Sequence, residues 1–347
     1  MRKQKSLIKS YIIYINIILA FCFLLTSKRI KQNKEKGILK DTKEKSIDEI
    51  KKIIHYYKIN KGLLRKLENK ITLIISVLAT GNIKILSNGI NSEYDGNFSF
   101  FKNNPPDQVK LNNQNITYNL NADYLEIAID AEGEYLIELI WKSTLTDLSG
   151  MFDSCQRIRS IDFSNFDFSM VTTAKYLMNK VYGLHYVNMG NANFSNALYL
   201  NGMFKDCINL EKVYNMGYTL KVIDMTSIFE SCSTITSIDL SNFKTPNIQY
   251  LSSSFNGCTK LEILEFPHLS YSANTMIDDM FVDCNSLKYI NLLNTSVLDK
   301  NNLNTILNII QPNIRDNLIV CTKTFDPTYY SQNIANLCCN EYQILNI

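Results

Sequence analysis

The sequence has few of the residues on which enzymes and metal sites depend. Its 347 residues include three histidines and one tryptophan, and none of the nine cysteines forms a Cys-x-x-Cys pair. The cysteine spacing therefore argues against a zinc site. The glycine-rich phosphate loop, Gly-x-Gly-x-x-Gly, His-Glu-x-x-His and Gly-x-Ser-x-Gly are also absent. We expect a non-catalytic protein that uses no metal and no cofactor.

A long apolar segment is missing as well. The longest apolar run covers residues 11–25, and these fifteen residues fall short of the roughly 20 that a membrane-spanning helix needs. Basic residues precede the run, as they do in signal peptides, at Arg2, Lys3, Lys5 and Lys9. We predict that residues 1–27 form a signal peptide or a retained membrane anchor, with residues 11–25 in contact with the membrane.

Charge is divided unevenly along the chain. Residues 1–70 carry a net charge of +13, and because the whole chain carries +3, residues 71–347 carry −10. Apolar residues recur at helical spacing at Ile47, Ile50, Ile54, Tyr57 and Leu64. We predict a basic helical stem over residues 28–70. Three interpretations of it stay open: it is a solvated stalk, it contacts phospholipid headgroups, or it forms a weak coiled coil. No nucleic-acid partner is expected.

What the sequence has instead is a repeat with a period of 26 residues. Five phrases end in cysteine, MFDSC, MFKDC, IFESC, SFNGC and MFVDC, and their cysteines are Cys155, Cys207, Cys232, Cys258 and Cys284. One period before Cys207, Val181 ends the related phrase LMNKV, so the chain holds six copies. The step from Cys207 to Cys232 is one residue short. The copies are called first to sixth below, each identified by its residue in this cysteine slot.

Apolar residues recur at fixed offsets from the cysteine slot. Three residues before it, every copy has phenylalanine except the second, which has Met178. Six and eight residues after it, apolar residues alternate with outward positions as on a β-strand, and the polar Asn215 interrupts the second column. The third copy also departs from the pattern with KVYNMGYTL, and the fifth with FPHLSYSAN. One copy buries too little apolar surface to fold alone, so the copies must stack.

These patterns predict a β-rich solenoid. Six tandem repeats of about 26 residues, with parallel strands, occupy residues 144–300. Before them, strand-like runs separated by Asn-rich and Pro105-Pro106 breaks predict an N-terminal β module over residues 71–143 that caps the first copy. Residues 301–347 lose the period, and we predict that they form the C-terminal cap.

The repeat cysteines are predicted to be small buried hydrophobes with free thiols. In stacked parallel copies their side chains have the same direction, and Val181 fills the same slot in the second copy. Cys321, Cys338 and Cys339 follow the repeat, and one disulfide from Cys321 to Cys338 or Cys339 is possible.

The outward strand positions are candidates for function, because the core does not dictate them. They lie five and seven residues after each slot and mix tyrosines with charged and amide groups, as binding surfaces do. We predict a partner-binding face, called the strand face below, formed by Asp162, Tyr186, Asn188, Lys212, Tyr214, Asp239, Glu265, Tyr289 and Asn291. Its expected ligand is a protein or a glycan.

The phrases LSGMFDSCQRIRSIDFSNFDFSMV and SIFESCSTITSIDLSNFKTPNIQYLSSSFNGC resemble the BspA-like leucine-rich-repeat surface proteins. These carry tandem M-F-x-x-C-x-x-L-x-x-I-D-L-S units, and the similarity covers roughly residues 145–300. The resemblance implies leucine-rich-type repeats in a surface-displayed solenoid that binds proteins or supports adhesion. It implies no active site.

Two functional interpretations follow. The first is a cell-surface or secreted repeat protein that binds other macromolecules, in adhesion or in a host or partner interaction. Sequons at Asn97, Asn115, Asn193 and Asn294 agree with export. The alternative is an intracellular scaffold tethered to the membrane, because the basic residues after residues 11–25 match or exceed those before them.

Overall fold

The structure, a computed structural model, describes most of the repeat region and part of its flanks. The described residues are 69–87, 104–120, 123–270, 272, 274–292 and 318–320, together with the backbone of residues 321 and 336–338. The predicted signal peptide or anchor and nearly all of the predicted stem lie outside this set. The described part of the chain contains no helix, and hence none that could cross a membrane.

The N-terminal part consists of antiparallel strands. Their bounds are β1 (Asn69–Val77), β2 (Gly81–Ser87), β3 (Gln108–Leu111), β4 (Gln114–Asn115), β5 (Asn119–Leu120), β6 (Tyr124–Ile129) and β7 (Gly133–Trp141). Strand β1 pairs with β7 along its whole length, β7 pairs with β3, and β2 pairs with β6. Alternate residues of β1 are buried and the others are partly or fully exposed, as expected for a sheet with one face against the core.

The repeat region adds short strands at regular intervals. They are β8 (Ile158–Asn165), β9 (Tyr186–Asn188), β10 (Asn193–Phe194), β11 (Lys212–Tyr214), β12 (Tyr218–Thr219), β13 (Ser237–Asp239), β14 (Ile263–Glu265) and β15 (Tyr289–Asn291). Strands β16 (Ile319–Cys321) and β17 (Asn336–Cys338) follow. Strand β8 pairs in parallel with β9 and β9 with β11, while β13, β14, β15, β16 and β17 pair in parallel in that order. The predicted β-rich solenoid with parallel strands is confirmed.

The N-terminal sheet continues directly into the solenoid. Strand β1 pairs antiparallel with β8, the strand of the first copy, so one sheet has the order β11-β9-β8-β1-β7-β3-β4. Trp141 is buried at this junction and its ring meets Phe166 edge to face at 6.3 Å between centroids. The strand β1 thereby covers the edge that the first copy would otherwise expose.

A second set of backbone hydrogen bonds joins successive copies on the return path. In the first copy the amides of Leu148, Gly150, Phe152 and Ser154 donate to carbonyls of the second copy, at 2.8–2.9 Å. The same four positions donate to the following copy at each of the five contacts between the six copies. Neighbouring copies whose strands also pair are therefore joined on two sides, which explains how units too small to fold alone form a stable stack.

Two residues of every return path adopt a left-handed backbone conformation. They lie one and five residues before the cysteine slot, with φ between 52° and 72° in all six copies. Most of them are not glycine, as Ser154 and Tyr176 illustrate. This conformation costs a non-glycine residue about 1–2 kcal/mol. The hydrogen bonds between copies offset that cost, since they require the same tight path in each copy.

The core is a set of columns that run along the stack. The rings of Phe204, Phe229, Phe255 and Phe281 stack with centroids 4.8, 6.1 and 5.5 Å apart and planes within 12° of parallel. Phe152 meets Phe163 edge to face instead, and Met178 takes the phenylalanine position in the copy between Phe152 and Phe204.

The repeat cysteines form a second buried column, and all five are free. Four thiols, those of Cys207, Cys232, Cys258 and Cys284, each donate to a carbonyl of the preceding copy at 3.0–3.1 Å. Three of these acceptors are the carbonyls of the stacked phenylalanines, so the slot combines a small apolar body with a weak donor. Cys321 and Cys338 are register partners in β16 and β17, and the side chains of all three C-terminal cysteines lie outside the described part.

Candidate functional site

The structure places all nine predicted residues of the strand face in the repeat strands, but on two separate sheets. Five of them, from Asp162 to Tyr214, belong to β8, β9 and β11. The other four, from Asp239 to Asn291, belong to β13, β14 and β15. Tyr186, Lys212, Tyr214 and Asp239 are exposed and the remaining five are half-buried. The strand face is therefore two patches that meet between the third and fourth copies.

The first patch is held together by a chain of side-chain hydrogen bonds. The amide nitrogen of Asn188 donates to Asp162 at 3.0 Å, and the amide nitrogen of Asn215 donates to Asn188 at 2.9 Å. Asp162 also accepts the backbone N–H of Ser164 at 2.9 Å. These bonds run from copy to copy along the stack and fix the side chains before any ligand binds. Fixed side chains lose less conformational entropy on binding.

Tyr186 is attached to its neighbouring copy through its hydroxyl. The hydroxyl donates to a carboxylate oxygen of Glu211 at 2.6 Å, while the residue remains 44% exposed. The hydrogen bond to the Glu211 carboxylate and its negative charge raise the pKa of Tyr186 above its usual value. The ring is therefore oriented while its surface stays accessible.

The second patch has a similar pair of neighbours. The amide nitrogen of Asn291 donates to Glu265 at 2.6 Å, and Asp239 lies next to Glu265 in register. Burial raises the pKa of the Glu265 carboxyl, the hydrogen bond from Asn291 lowers it, and the charge of Asp239 raises it further. Asp239 itself accepts the backbone N–H of Ser241 at 2.9 Å.

The two patches are separated because the strand ladder stops after the third copy. In the other copies the position eight residues after the slot is a buried apolar residue, but Asn215 is exposed there with φ 52°. The next residue, Met216, is buried. The chain then turns at Gly217, with φ 88°, where an added Cβ would lie 2.1 Å from the carbonyl oxygen of Ala192. Strand β11 thus ends without pairing to β13, which starts a new sheet.

A polar cleft of about 270 Å³ lies at this interruption. We call it the inter-sheet cleft. The second and third copies contribute Asn191, Lys212, Val213, Tyr214, Asn215, Met216 and Gly217 to its lining, and the fourth contributes Ser237, Asp239, Ser241 and Asn242. It therefore collects three residues of the predicted strand face, Lys212, Tyr214 and Asp239, at one place.

Several side-chain groups of the inter-sheet cleft make no hydrogen bond within the part of the chain that the structure describes. Among the described residues, no side-chain hydrogen bond reaches the amides of Asn191 and Asn242 or the hydroxyls of Tyr214 and Ser237. The Nζ of Lys212 lies 5.8 Å from the centroid of the Tyr214 ring. The cleft thus offers neutral hydrogen-bonding groups, one aromatic ring and one charge of each sign. The described residues also include no cluster of three or more His, Cys, Asp or Glu side chains that would hold a metal ion.

Sequence reasoning did not find the inter-sheet cleft, although it named three of its residues. Asn191, Asn215 and Asn242 lie outside the predicted strand face, and Ser237 occupies one of its outward positions without being among its nine residues. Two signals pointed to the place, namely the missing residue between Cys207 and Cys232 and the polar Asn215 in an apolar column. Both lie in or directly after the third copy, whose strand β11 does not pair with β13.

Two segments of the chain match a family model. Residues 146–263 and 215–308 match the model described as a Mycoplasma protein of unknown function, DUF285. The matches overlap over residues 215–263, as expected when one model aligns to successive copies of a repeat. No curated protein matches the chain. The repeat architecture is compatible with the BspA-like resemblance, and the family description states no function.

Proposed function

We propose that this protein is a cell-surface or secreted, non-catalytic repeat protein that binds other macromolecules through the strand face, in adhesion or partner capture. The observation that carries the proposal is the exposure of two aromatic rings that the fold does not require. Tyr186 and Tyr214 are 44% and 45% exposed, whereas the inward residue of β9, Val187, is fully buried and that of β11, Val213, is half-buried. Rigid, accessible aromatic rings among amide and charged groups are the usual anchors of binding surfaces.

The organisation of the first patch supports the same proposal. The hydrogen bonds from Asn215 to Asn188 and from Asn188 to Asp162 hold polar side chains in place next to both tyrosines. These side chains are already ordered before a partner binds, so little conformational entropy is lost on binding. The resemblance to BspA-like surface proteins, compatible with the family match over residues 146–308, agrees with this role.

Surface localisation is the part of the proposal that rests on the sequence. It relies on the apolar residues 11–25, which lie outside the described residues, and on the sequons. Of these, Asn115 is exposed in β4 and Asn193 is half-buried in β10. The competing interpretation is an intracellular scaffold tethered to the membrane. It uses the same strand face, but the repeat region lies on the cytoplasmic side of the membrane.

Protease treatment of intact cells separates the two locations. A surface protein loses its repeat region to external protease, whereas an intracellular scaffold is cut only after the cells are opened. A cytoplasmic protein detected in the same samples serves as the control for cell integrity. Full protection of the repeat region in intact cells would reject the surface location and favour the scaffold.

Binding through the strand face is tested with the full-length chain. The probes are a panel of immobilised extracellular glycoproteins that includes a mucin, each used intact and after enzymatic deglycosylation. We expect Tyr186→Ser combined with Tyr214→Ser to reduce binding at least about tenfold, because two anchors are lost. Tyr250→Ser is the matched control, since Tyr250 is 40% exposed but lies outside the strand face. Equal binding by the double variant and the control would place the interaction on another surface.

A further inference from the structure

We infer that the inter-sheet cleft binds the terminal unit of a neutral saccharide chain. The inference rests on the proposed function, because it assigns a ligand class to the place where the two patches of the strand face meet. A site of about 270 Å³ lies just below the roughly 300–1,000 Å³ of most small-molecule sites, so it accommodates a single small ring system rather than a peptide.

The backbone at the inter-sheet cleft favours a hydroxyl-rich ligand. Strands β11 and β13 belong to different sheets, so their facing edges do not form the ladder that joins the other copies. Edge N–H and C=O groups seek hydrogen-bond partners from outside the sheet. A hydroxyl group can bind either an N–H or a C=O of the edge, because it donates one hydrogen bond and accepts others.

The side chains of the cleft have the same dual character. In the described part of the chain, the amides of Asn191 and Asn242 have no side-chain hydrogen-bond partner, and each amide offers two donors and an acceptor. Asp239 uses one carboxylate oxygen to accept the N–H of Ser241, and no described group donates to the other. Adjacent donors and acceptors match the adjacent hydroxyls of a sugar ring.

Tyr214 supplies the apolar part of the site. Its ring lines the cleft and is 45% exposed, so it is available for the C–H groups on one face of a sugar. The net charge of the lining argues against anionic ligands. Lys212 is the single cation of the lining, and the negative charge of Asp239 balances it. A phosphate or sulfate site would instead concentrate positive charge.

Binding of free saccharides to the purified full-length chain tests the inference. The probes are neutral monosaccharides and disaccharides, screened on an array and then measured in solution by saturation-transfer NMR. We expect at least one of them to bind, and we expect Asn242→Ala and Tyr214→Ala each to weaken that binding about tenfold or more. The control Tyr250→Ala should bind like the unchanged protein, and melting temperatures of all variants should agree within a few degrees.

The outcomes separate this inference from the proposed function. Glycoprotein binding that survives deglycosylation, together with no saccharide binding at millimolar concentration, would overturn the saccharide site and leave the strand-face proposal intact. Saccharide binding that Asn242→Ala leaves unchanged would also overturn it, because the sugar would then bind elsewhere. Saccharide binding that depends on Asn242, with no glycoprotein captured, would support the cleft and reject the wider adhesion role.

Discussion

Replacing Phe255 with alanine removes a ring from the middle of the stacked phenylalanine column. Its centroid lies 6.1 Å from that of Phe229 and 5.5 Å from that of Phe281, with planes within 12° of parallel, and the side chain is fully buried. Substitutions of this kind cost about 3–5 kcal/mol of unfolding free energy. Hydrogen bonds hold the backbones on both sides of Phe255 at a fixed spacing, so the cavity cannot collapse. We therefore expect about 4–5 kcal/mol, the upper half of that range.

A matched substitution at the end of the column makes this number testable. Phe281 is equally well buried but has one stacked ring neighbour, Phe255, in the described part of the chain. An aromatic pair contributes about 0.5–1.5 kcal/mol beyond its buried area, so Phe281→Ala should cost about 1 kcal/mol less than Phe255→Ala.

The assay is chemical denaturation of the full-length chain, followed by circular dichroism and by the fluorescence of the single tryptophan, Trp141. Circular dichroism reports on all copies, whereas Trp141 reports on the junction with the N-terminal sheet. Coincident transitions make the unfolding free energies of the two variants directly comparable. Equal costs for Phe255→Ala and Phe281→Ala, or a cost below about 2 kcal/mol for Phe255→Ala, would refute the rigid stacked column.

Three further predictions follow from single sites. Burial raises the pKa of the Cys258 thiol well above its usual value, so the repeat thiols should resist alkylation in the native protein and react after denaturation; rapid native labelling would contradict this. Gly217→Ala should lower the melting temperature far more than Gly257→Ala. A Cβ at position 217 would lie 2.1 Å from a backbone oxygen, whereas a Cβ at position 257 would lie 3.3 Å from its nearest atom. Equal losses of melting temperature would contradict the close approach at Gly217. Burial raises the pKa of Glu265, so the folded state holds the Glu265 proton more tightly than the unfolded state, and stability should fall as pH rises from the unfolded to the raised folded pKa. Glu265→Gln should therefore increase stability at neutral pH and lose this advantage in acid; an advantage independent of pH would contradict the assignment.

The period and the inward columns could be predicted because they report on burial, which every copy must achieve in the same way. The phenylalanines before the cysteine slot are all buried and those from Phe204 to Phe281 stack, but Phe152, which was expected in the same column, meets Phe163 edge to face. The five repeat cysteines are buried and free. The strand positions were predictable for a similar reason, since a period of two shows which residues face inward. The use of the strand face in binding stays a prediction.

The left-handed residues were not predictable from the residue types at their positions. Ser154, Lys180 and Asp206 occupy the same place in three copies, and glycine stands there only in the fifth copy, as Gly257. Their conformation is set by the hydrogen bonds to the next copy rather than by local preference. Serine, lysine, tyrosine and aspartate adopt this backbone here because the neighbouring copy supplies the hydrogen bonds that offset its cost.

The sequence by itself determined that this chain is a stack of six copies with a buried column of rings and thiols, because hydrophobic periodicity is a property of the chain alone. The tertiary structure decided that the strand ladder stops between β11 and β13, while the hydrogen bonds of the return path continue. Whether β11 pairs with β13 depends on the register between two backbones, and the missing residue between Cys207 and Cys232 and the turn at Gly217 change that register. The inter-sheet cleft is the consequence, since its groups come from three copies and only the packing of those copies brings them together.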